Sequence, residues 1–213
     1  MGGAIVKSLK NGDLSGDCNQ TWAMSSTEQL LQIILRHISL SPAQRQLIED
    51  SLTPKTLKKG ETLLQQGAPN RVIGYLVAGL MRSFYYDPEG EEIMAGFFQE
   101  GSFCTDLHSF QASAKSERTI QALVDCELLI LSSTDRAKLL MLINEWTYFE
   151  QRHIAELLLQ KVTFQRELSN GTAPEAYELF LKHYGQAARY APRYQIASFL
   201  GMSPYTLSRI GNR

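Results

Sequence analysis

The sequence predicts an α+β protein in which an N-terminal β-roll, or jelly roll, is followed by a long helix and a C-terminal helix-turn-helix. Three observations predict this fold. Between residues 55 and 132, short runs of β-type residues alternate with glycine-centred turns. A helical apolar pattern then runs from about Trp146 to about Glu167. Two short helical patterns follow, with Gly201 between them.

The composition is that of an ordinary soluble globular chain. It has 213 residues, of which 44% are hydrophobic and 20% are charged, enough for one large domain or two small ones. The three cysteines include no Cys-x-x-Cys pair, which fits a reducing compartment. No apolar run reaches the ~18 residues of a membrane span, and the N-terminus has no signal-peptide core. We therefore expect a cytoplasmic protein without membrane contact.

Charge is distributed unevenly along the chain. From Lys161 to the C-terminus there are seven basic and three acidic residues, so this part carries +4 and the remainder −5. A basic end on an acidic body suits a nucleic-acid partner. Random scatter of charge is the alternative explanation.

Residues 1–23 are rich in Gly, Asn, Asp and Ser, and they predict a flexible N-terminal extension. Residues 24–145 form the predicted sensor domain. It begins with an amphipathic helix from Thr27 and a second helix from Ser41-Pro42. The strands of the roll are then expected at 56–59, 62–64, 72–77, 80–86, 93–98, 119–124 and 127–132.

The long helix, assigned to residues 146–168, carries more apolar side chains than one packing face needs. These include Phe149, Ile154, Leu157, Leu158 and Val162. The excess suits a helix that packs on its own body and also on a twin helix in a homodimer. A single buried helix is the alternative.

Residues 169–213 form the predicted helix-turn-helix domain. Gly201 permits the tight turn, and Ser203 can cap the second helix, where Pro204 suits the first position. The outward face of this helix carries Tyr205, Thr206, Ser208 and Arg209. In a helix-turn-helix the second helix enters the major groove of DNA. An ordinary helical hairpin without a DNA partner is the alternative.

This order of elements resembles the family of the cyclic-AMP receptor protein and the fumarate-nitrate regulator, the Crp/Fnr family. The resemblance covers roughly Thr27 to Arg213 and is most specific at Lys59–Gly67 and Gln195–Pro204. It implies a cyclic-nucleotide-binding-like roll that senses a small molecule, a dimerisation helix, and paired reading heads on a two-fold DNA site. RNA polymerase is a further partner that the resemblance implies.

The resemblance also implies an effector pocket, formed by Phe103, Thr105, Asp106, Leu107, Ser116, Glu117 and Arg118. Asp106 falls at the family's position for the carboxylate that binds the ribose. Ser116 and Glu117 stand where the family has its phosphate-binding arginine and a polar neighbour. Glu117 would repel a phosphate, and only a shifted loop would bring Arg118 to it. We therefore expect no cyclic-nucleotide cofactor, and the effector is unknown.

Other sensing chemistries find little support. An iron–sulfur cluster needs about four cysteine ligands, and three dispersed cysteines cannot supply them. The histidines, at 37, 108, 153 and 183, are scattered, so they indicate no haem or metal site. We expect His108 at the surface and Cys104 in a buried packing role.

For the reading head, the resemblance places base-reading side chains at Pro204, Tyr205 and Arg209, and Arg209 suits guanine. Ser203, Thr206 and Ser208 are placed to reach phosphates, and Arg193 is expected to contact a phosphate near the start of the preceding helix. The sequence stops three residues after Ile210, where the family usually continues into a β-hairpin wing, so either the helix-turn-helix domain is short and has no wing or the sequence is truncated.

Two other classes of function remain open. One is a ligand-sensing or protein-interaction module that keeps the fold and has lost DNA binding. The other is a jelly-roll enzyme, which would need a metal cluster of His and Glu on adjacent strands, and the roll has no such pattern. We predict a homodimeric DNA-binding transcription regulator that is not an enzyme.

Overall fold

The computed structural model describes residues 17–211, with side chains from residue 26 onwards. Residues 1–16 of the predicted extension lie outside the described residues, and so does Arg213. The backbone of residues 17–23 begins the first helix. The helices are α1 (Asp17–Leu35), α2 (Pro42–Asp50), α3 (Leu107–Gln111), α4 (Ser133–Leu142), α5 (Trp146–Asn170), α6 (Ala173–His183), α7 (Gly185–Tyr190), α8 (Arg193–Phe199) and α9 (Pro204–Ile210). The strands are β1 (Leu52–Leu57), β2 (Thr62–Leu64), β3 (Val72–Ala78), β4 (Leu80–Tyr86), β5 (Glu92–Gln99), β6 (Phe103–Cys104), β7 (Thr119–Ala122) and β8 (Cys126–Ser132).

The strands form a roll of two four-stranded antiparallel sheets. Sheet A has the order β1-β8-β3-β6 and sheet B the order β2-β7-β4-β5. Strands β2 and β4 have the bounds that the sequence predicts. Between β4 and β5, Gly90 adopts a φ of 86°, which glycine tolerates without strain. The predicted β-roll followed by helices is confirmed.

The first strand is the clearest difference from the sequence-based expectation. A strand was expected over 56–59, but β1 runs from Leu52 to Leu57 and includes Pro54. Proline lacks the N–H that a central strand needs on both sides. Because β1 lies at the edge of sheet A and pairs only with β8, Pro54 costs the ladder little.

Three apolar cores divide the molecule into layers. The central core lies between the two sheets and contains Leu76, Met81 and Ile120. A second core lies on the outer face of sheet A, where Leu129 packs with α1, α2, α4 and the start of α5. The third core lies on the outer face of sheet B and joins β4 and β5 to the helices α6–α9. The C-terminal helices and the roll therefore share a core.

The helices after the roll follow local rules. The N–H of Thr172 donates to the Glu175 carboxylate at 2.7 Å, which fixes the start of α6. Helix α7 was not predicted, because Gly185 opens it and Ala187 alone of its six residues is buried. Among the described residues, no helix has both the length and the apolar character that crossing a membrane requires.

Candidate nucleic-acid interface and effector region

The turn between α8 and α9 is closed by a complete set of backbone hydrogen bonds. The N–H of Met202 donates to the Ala197 carbonyl at 3.0 Å, and the N–H of Gly201 donates to the Ser198 carbonyl at 3.2 Å. This pair of bonds is a Schellman motif, and it needs the positive φ of 64° that Gly201 adopts. Ser203 then caps α9 by accepting from the N–H of Thr206 at 3.0 Å. The two helices are thus set at a fixed angle.

Helix α9 presents its outward face to solvent. Tyr205 is 71% exposed, and the Arg209 guanidinium lies over its ring, 5.9 Å from the centroid. Leu207, by contrast, is buried against the core. The two side chains expected to read bases are therefore adjacent, and the tyrosine ring favours one orientation of the guanidinium.

The remaining predicted DNA contacts surround this pair. Ser203, Pro204 and Arg193 are exposed, and Thr206 and Ser208 are partly buried. The hydroxyls of Ser203 and Thr206 hydrogen-bond each other at 2.9 Å. The Arg193 guanidinium lies against the backbone of Gly211, at the C-terminal end of α9. A cation at that end favours the helix dipole, so Arg193 has a structural contact besides the expected phosphate contact.

Helices α6 to α8 are held on sheet B by an aromatic cluster. The ring of Phe97 on β5 lies 5.4 Å from Phe199, 5.9 Å from Phe180 and 6.1 Å from Tyr184. Two hydrogen bonds reinforce it: the N–H of Met94 donates to the Ser198 hydroxyl at 3.1 Å, and Gln99 donates to the His183 carbonyl at 2.7 Å. Sheet B and α8 are therefore in direct contact.

The predicted effector pocket does not form one site. Asp106 is buried, and its carboxylate accepts from the Ser116 hydroxyl and the Glu117 N–H, each at 3.1 Å. Burial would raise the pKa of Asp106, but the bonds from Ser109, Glu117 and Ser116 and the charge of Arg118 together hold it below its usual value. The carboxylate that the family offers to a ribose is thus engaged within the loop.

The other residues of the predicted pocket lie elsewhere. Phe103, Thr105 and Leu107 line a cavity of about 160 Å³ between the outer face of sheet A and helices α1, α2, α4 and α5. Most of its walls are apolar side chains, among them Leu30 and Leu157. Glu117 is exposed and Arg118 is half-buried outside this cavity. The seven predicted residues therefore divide between a closed loop and an apolar chamber.

Sequence reasoning missed the residue that organises this loop. Asn70 is buried, and its side-chain N–H groups lie within 3.1 Å of Thr105 Oγ1, the Asp106 carbonyl and Ser109 Oγ. Asn70 directly follows Pro69, which forms an isolated β-bridge with Lys115, and nothing in the local sequence distinguishes it from an exposed loop residue. Its role depends on residues 35 to 39 positions away.

Helix α5 bears an apolar surface that its own chain leaves uncovered. Leu158 is 52% exposed, Leu159 67% and Val162 60%. Together with Tyr148 and Ala155, which are also exposed, they recur at spacings of three, four and seven residues. We call these five residues the α5 seam. Of the other predicted helix residues, Phe149 is buried in the chain's own core, and Ile154 and Leu157 line the cavity.

The cysteine and histidine expectations are largely met. Cys104 is fully buried, and this burial raises the pKa of its thiol well above the usual value. The charge of nearby Cys126 makes a smaller contribution in the same direction. Such a thiol is inert, as expected for packing. His108 is exposed on α3, also as expected. His37 and His153 are not scattered, because their ring centroids lie 5.9 Å apart beside α5.

Comparisons with known proteins agree with this architecture. Residues 54–142 match the family described as the cyclic nucleotide-binding domain. A comparison with curated protein sequences found no match.

Three solved structures illustrate the likeness. FixK2 from Bradyrhizobium japonicum is 18% identical, with a TM-score of 0.63 over 76% of this chain and 83% of that one. A protein from Eubacterium rectale attributed to the crp/fnr family is 19% identical, with a TM-score of 0.63 over 80% and 82%. The sensor domain of the regulator DNR from Pseudomonas aeruginosa is 22% identical, with a TM-score of 0.55 over 67% and 94%. Residues 54–142 therefore match the cyclic nucleotide-binding domain model, and the chain has the fold of these solved transcription regulators.

Proposed function

We propose that this protein is a sequence-specific DNA-binding transcription regulator of the Crp/Fnr type. In this proposal it acts as a homodimer on a two-fold DNA site, and its roll senses a small-molecule effector. The observation that carries the proposal is the state of α9, whose Tyr205 and Arg209 are exposed and stacked while its base is fixed by a capped turn. An exposed helix on such a turn is what major-groove reading requires.

The chemistry of the exposed face of α9 supports recognition of base edges and not only contacts to phosphates. Arg209 has the planar fork that can bond both acceptors of a guanine edge. Tyr205 adds a ring able to contact apolar base edges. Arg193, on the neighbouring helix, and the Ser203 hydroxyl supply groups suited to phosphates.

The α5 seam supports the dimer. A run of exposed apolar side chains at heptad spacing is costly in water and matches a two-helix seam. Two copies joined along this seam would carry two reading heads related by a two-fold axis. Such symmetry requires an inverted repeat in the DNA, with half-sites about 10 base pairs apart.

The effector proposed for the roll is not a cyclic nucleotide. The arginine expected for a cyclic phosphate is replaced by Ser116, which is buried and hydrogen-bonded to Asp106. The chamber beside sheet A is apolar, so it suits a small apolar molecule better than a phosphate. It touches α5, and it therefore connects the roll to the proposed dimer helix.

Selection of bound sequences from random DNA duplexes tests the proposal. Purified wild-type protein should enrich an inverted repeat. The Arg209→Ala variant, selected in parallel, should lose preference at one base pair in each half-site. Failure of the folded wild-type protein to enrich any sequence would contradict the proposal and favour a module that has lost DNA binding.

A further inference from the structure

Two histidines and a glutamate that are distant in sequence meet beside the apolar chamber. His153 and Glu156 lie three residues apart on α5, so they share one face of the helix. His37 lies in the turn that ends α1, where its N–H donates to the Ile34 carbonyl at 3.0 Å. One ligand atom from each of the three side chains lies within 4.8 Å of the other two.

The distances fit a small ion with few ligands. With ligand bonds of about 2.1 Å, two ligand atoms of a tetrahedral ion lie about 3.4 Å apart. The Nε2 of His37 lies 3.5 Å from the Oε2 of Glu156. That separation is longer than a good hydrogen bond and close to the edge of a metal tetrahedron. The ligand atom of His153 lies within 4.8 Å of both.

The rings are held in place by aromatic neighbours. The His153 ring stacks on Phe149 at 5.7 Å and meets the edge of Phe103 at 4.9 Å, and His37 lies 5.8 Å from Phe149. Pre-set rings lose little freedom when they bind an ion. The arrangement therefore has the fixed ligand orientation that a metal site needs.

One atom of the cluster has an unmet requirement. The Nε2 of His153 is buried and has no hydrogen-bond partner. Buried polar atoms without partners are rare, because each costs free energy. A buried ring nitrogen without a partner is available to a metal ion.

We propose that His37, His153 and Glu156 bind a divalent transition-metal ion of the Zn²⁺ class, with water completing the coordination. Two imidazoles and one carboxylate suit Zn²⁺ and Co²⁺, whereas Mg²⁺ and Ca²⁺ prefer oxygen ligands alone. The His37 side chain is 8% exposed and that of Glu156 is 47% exposed, so the ion would enter from solvent on the Glu156 side. The carboxylate charge offsets the ion, while nearby Arg36, whose charge also acts on His153, opposes it.

Such an ion would join the end of α1 to the middle of α5. It would also lie at the wall of the apolar chamber, since His153 lines that chamber. The ion would therefore fix the segment of α5 just before Leu158 and Leu159, which belong to the α5 seam.

Titration of the purified full-length protein, stripped of metal with a chelator, tests the proposal. Calorimetry with Zn²⁺ should find one tight site in the wild type and in His108→Gln, which removes an exposed histidine outside the cluster. His153→Gln and Glu156→Gln should each weaken binding at least about tenfold. Co²⁺ should give the strong visible absorption of a tetrahedral ion in the wild type and not in Glu156→Gln.

Two results would overturn the proposal. One is a wild-type protein that binds no Zn²⁺, which would leave an ordinary histidine–glutamate ion pair. The other is equal binding by the wild type and Glu156→Gln, which would place the ion elsewhere. Because Glu156 is half exposed, its variant should fold even if His153→Gln does not, and thermal unfolding without metal checks this.

Discussion

At the scale of single residues, the expected DNA contacts separate into two roles. Arg209 lies over Tyr205 on the exposed face of α9, where it can meet base edges. Arg193 lies at the C-terminal end of the same helix, against Gly211. Its position suits a contact with the DNA backbone and not with a base. The proposed base contact therefore belongs to α9, and the proposed phosphate contact belongs to α8.

Substitution of these two arginines distinguishes the roles. Arg209→Ala should cost about 1–3 kcal/mol for the selected site and less for random duplexes, because a base contact is lost. Arg193→Ala should weaken both duplexes alike and reduce the salt dependence of binding. Fluorescence anisotropy over a range of salt concentrations measures both effects. An equal loss of affinity for both duplexes in Arg209→Ala would show that this residue is not a reader.

The loop around Asp106 leads to a second prediction. Cyclic AMP should bind very weakly, because the resemblance aligns Ser116 and Glu117 with the phosphate-binding residues, and both donate hydrogen bonds to the Asp106 carboxylate. A buried phosphate without a paired cation costs several kcal/mol. Isothermal calorimetry should therefore detect no micromolar binding. Micromolar affinity that Arg118→Ala abolishes would show that Arg118 reaches the phosphate position.

At the scale of elements, sequence patterns predicted those elements whose cues are local. The Ser41-Pro42 start of α2 and the Gly201 turn depend on neighbouring residues, and both are present. Features that depend on distant residues were not predictable. The apolar chamber joins Leu30 to Leu157, and Asn70 bonds residues 35 to 39 positions away. Strand β1 was misplaced because tolerance of Pro54 depends on its edge position.

The α5 seam gives the prediction for this scale. Leu158→Glu should convert the dimer to monomers, because two carboxylates would face each other in an apolar seam. Analytical ultracentrifugation measures the change. Gln160→Glu is the matched control, since it adds the same charge on the opposite side of the helix and should leave the dimer intact. A dimer that survives Leu158→Glu would reject this interface.

At the scale of the whole molecule, helices pack directly on both outer faces of the roll. Phe97 on sheet B packs with Phe180, Tyr184 and Phe199 of the reading head. On the other side of the roll, the chamber touches α5. The chamber and the C-terminal helices thus pack on opposite outer faces of the same roll, which would connect a bound effector to the proposed recognition helix. The uneven charge along the sequence does not indicate that the C-terminal helices pack on sheet B.

Removal of the Phe97 ring tests the connection. Phe97→Ala should destabilise the protein by about 3–5 kcal/mol and loosen α6 and α8, because it empties the core that they share with sheet B. Hydrogen exchange of the α8 amides should accelerate. Phe98→Ala is the control, because Phe98 packs against the core between the sheets. If α8 exchanges at the same rate in Phe97→Ala and Phe98→Ala, the head does not depend on sheet B.

The central claim is that two copies of the chain read DNA as a two-fold pair. The most direct measurement is the affinity of the wild-type protein for its selected inverted repeat as the spacing between half-sites is changed. Inserting about five base pairs turns one half-site to the opposite side of the duplex. We predict that affinity then falls to that of an isolated half-site, and that Leu158→Glu protein shows the same low affinity at every spacing. Equal wild-type affinity at all spacings would contradict a homodimeric reader.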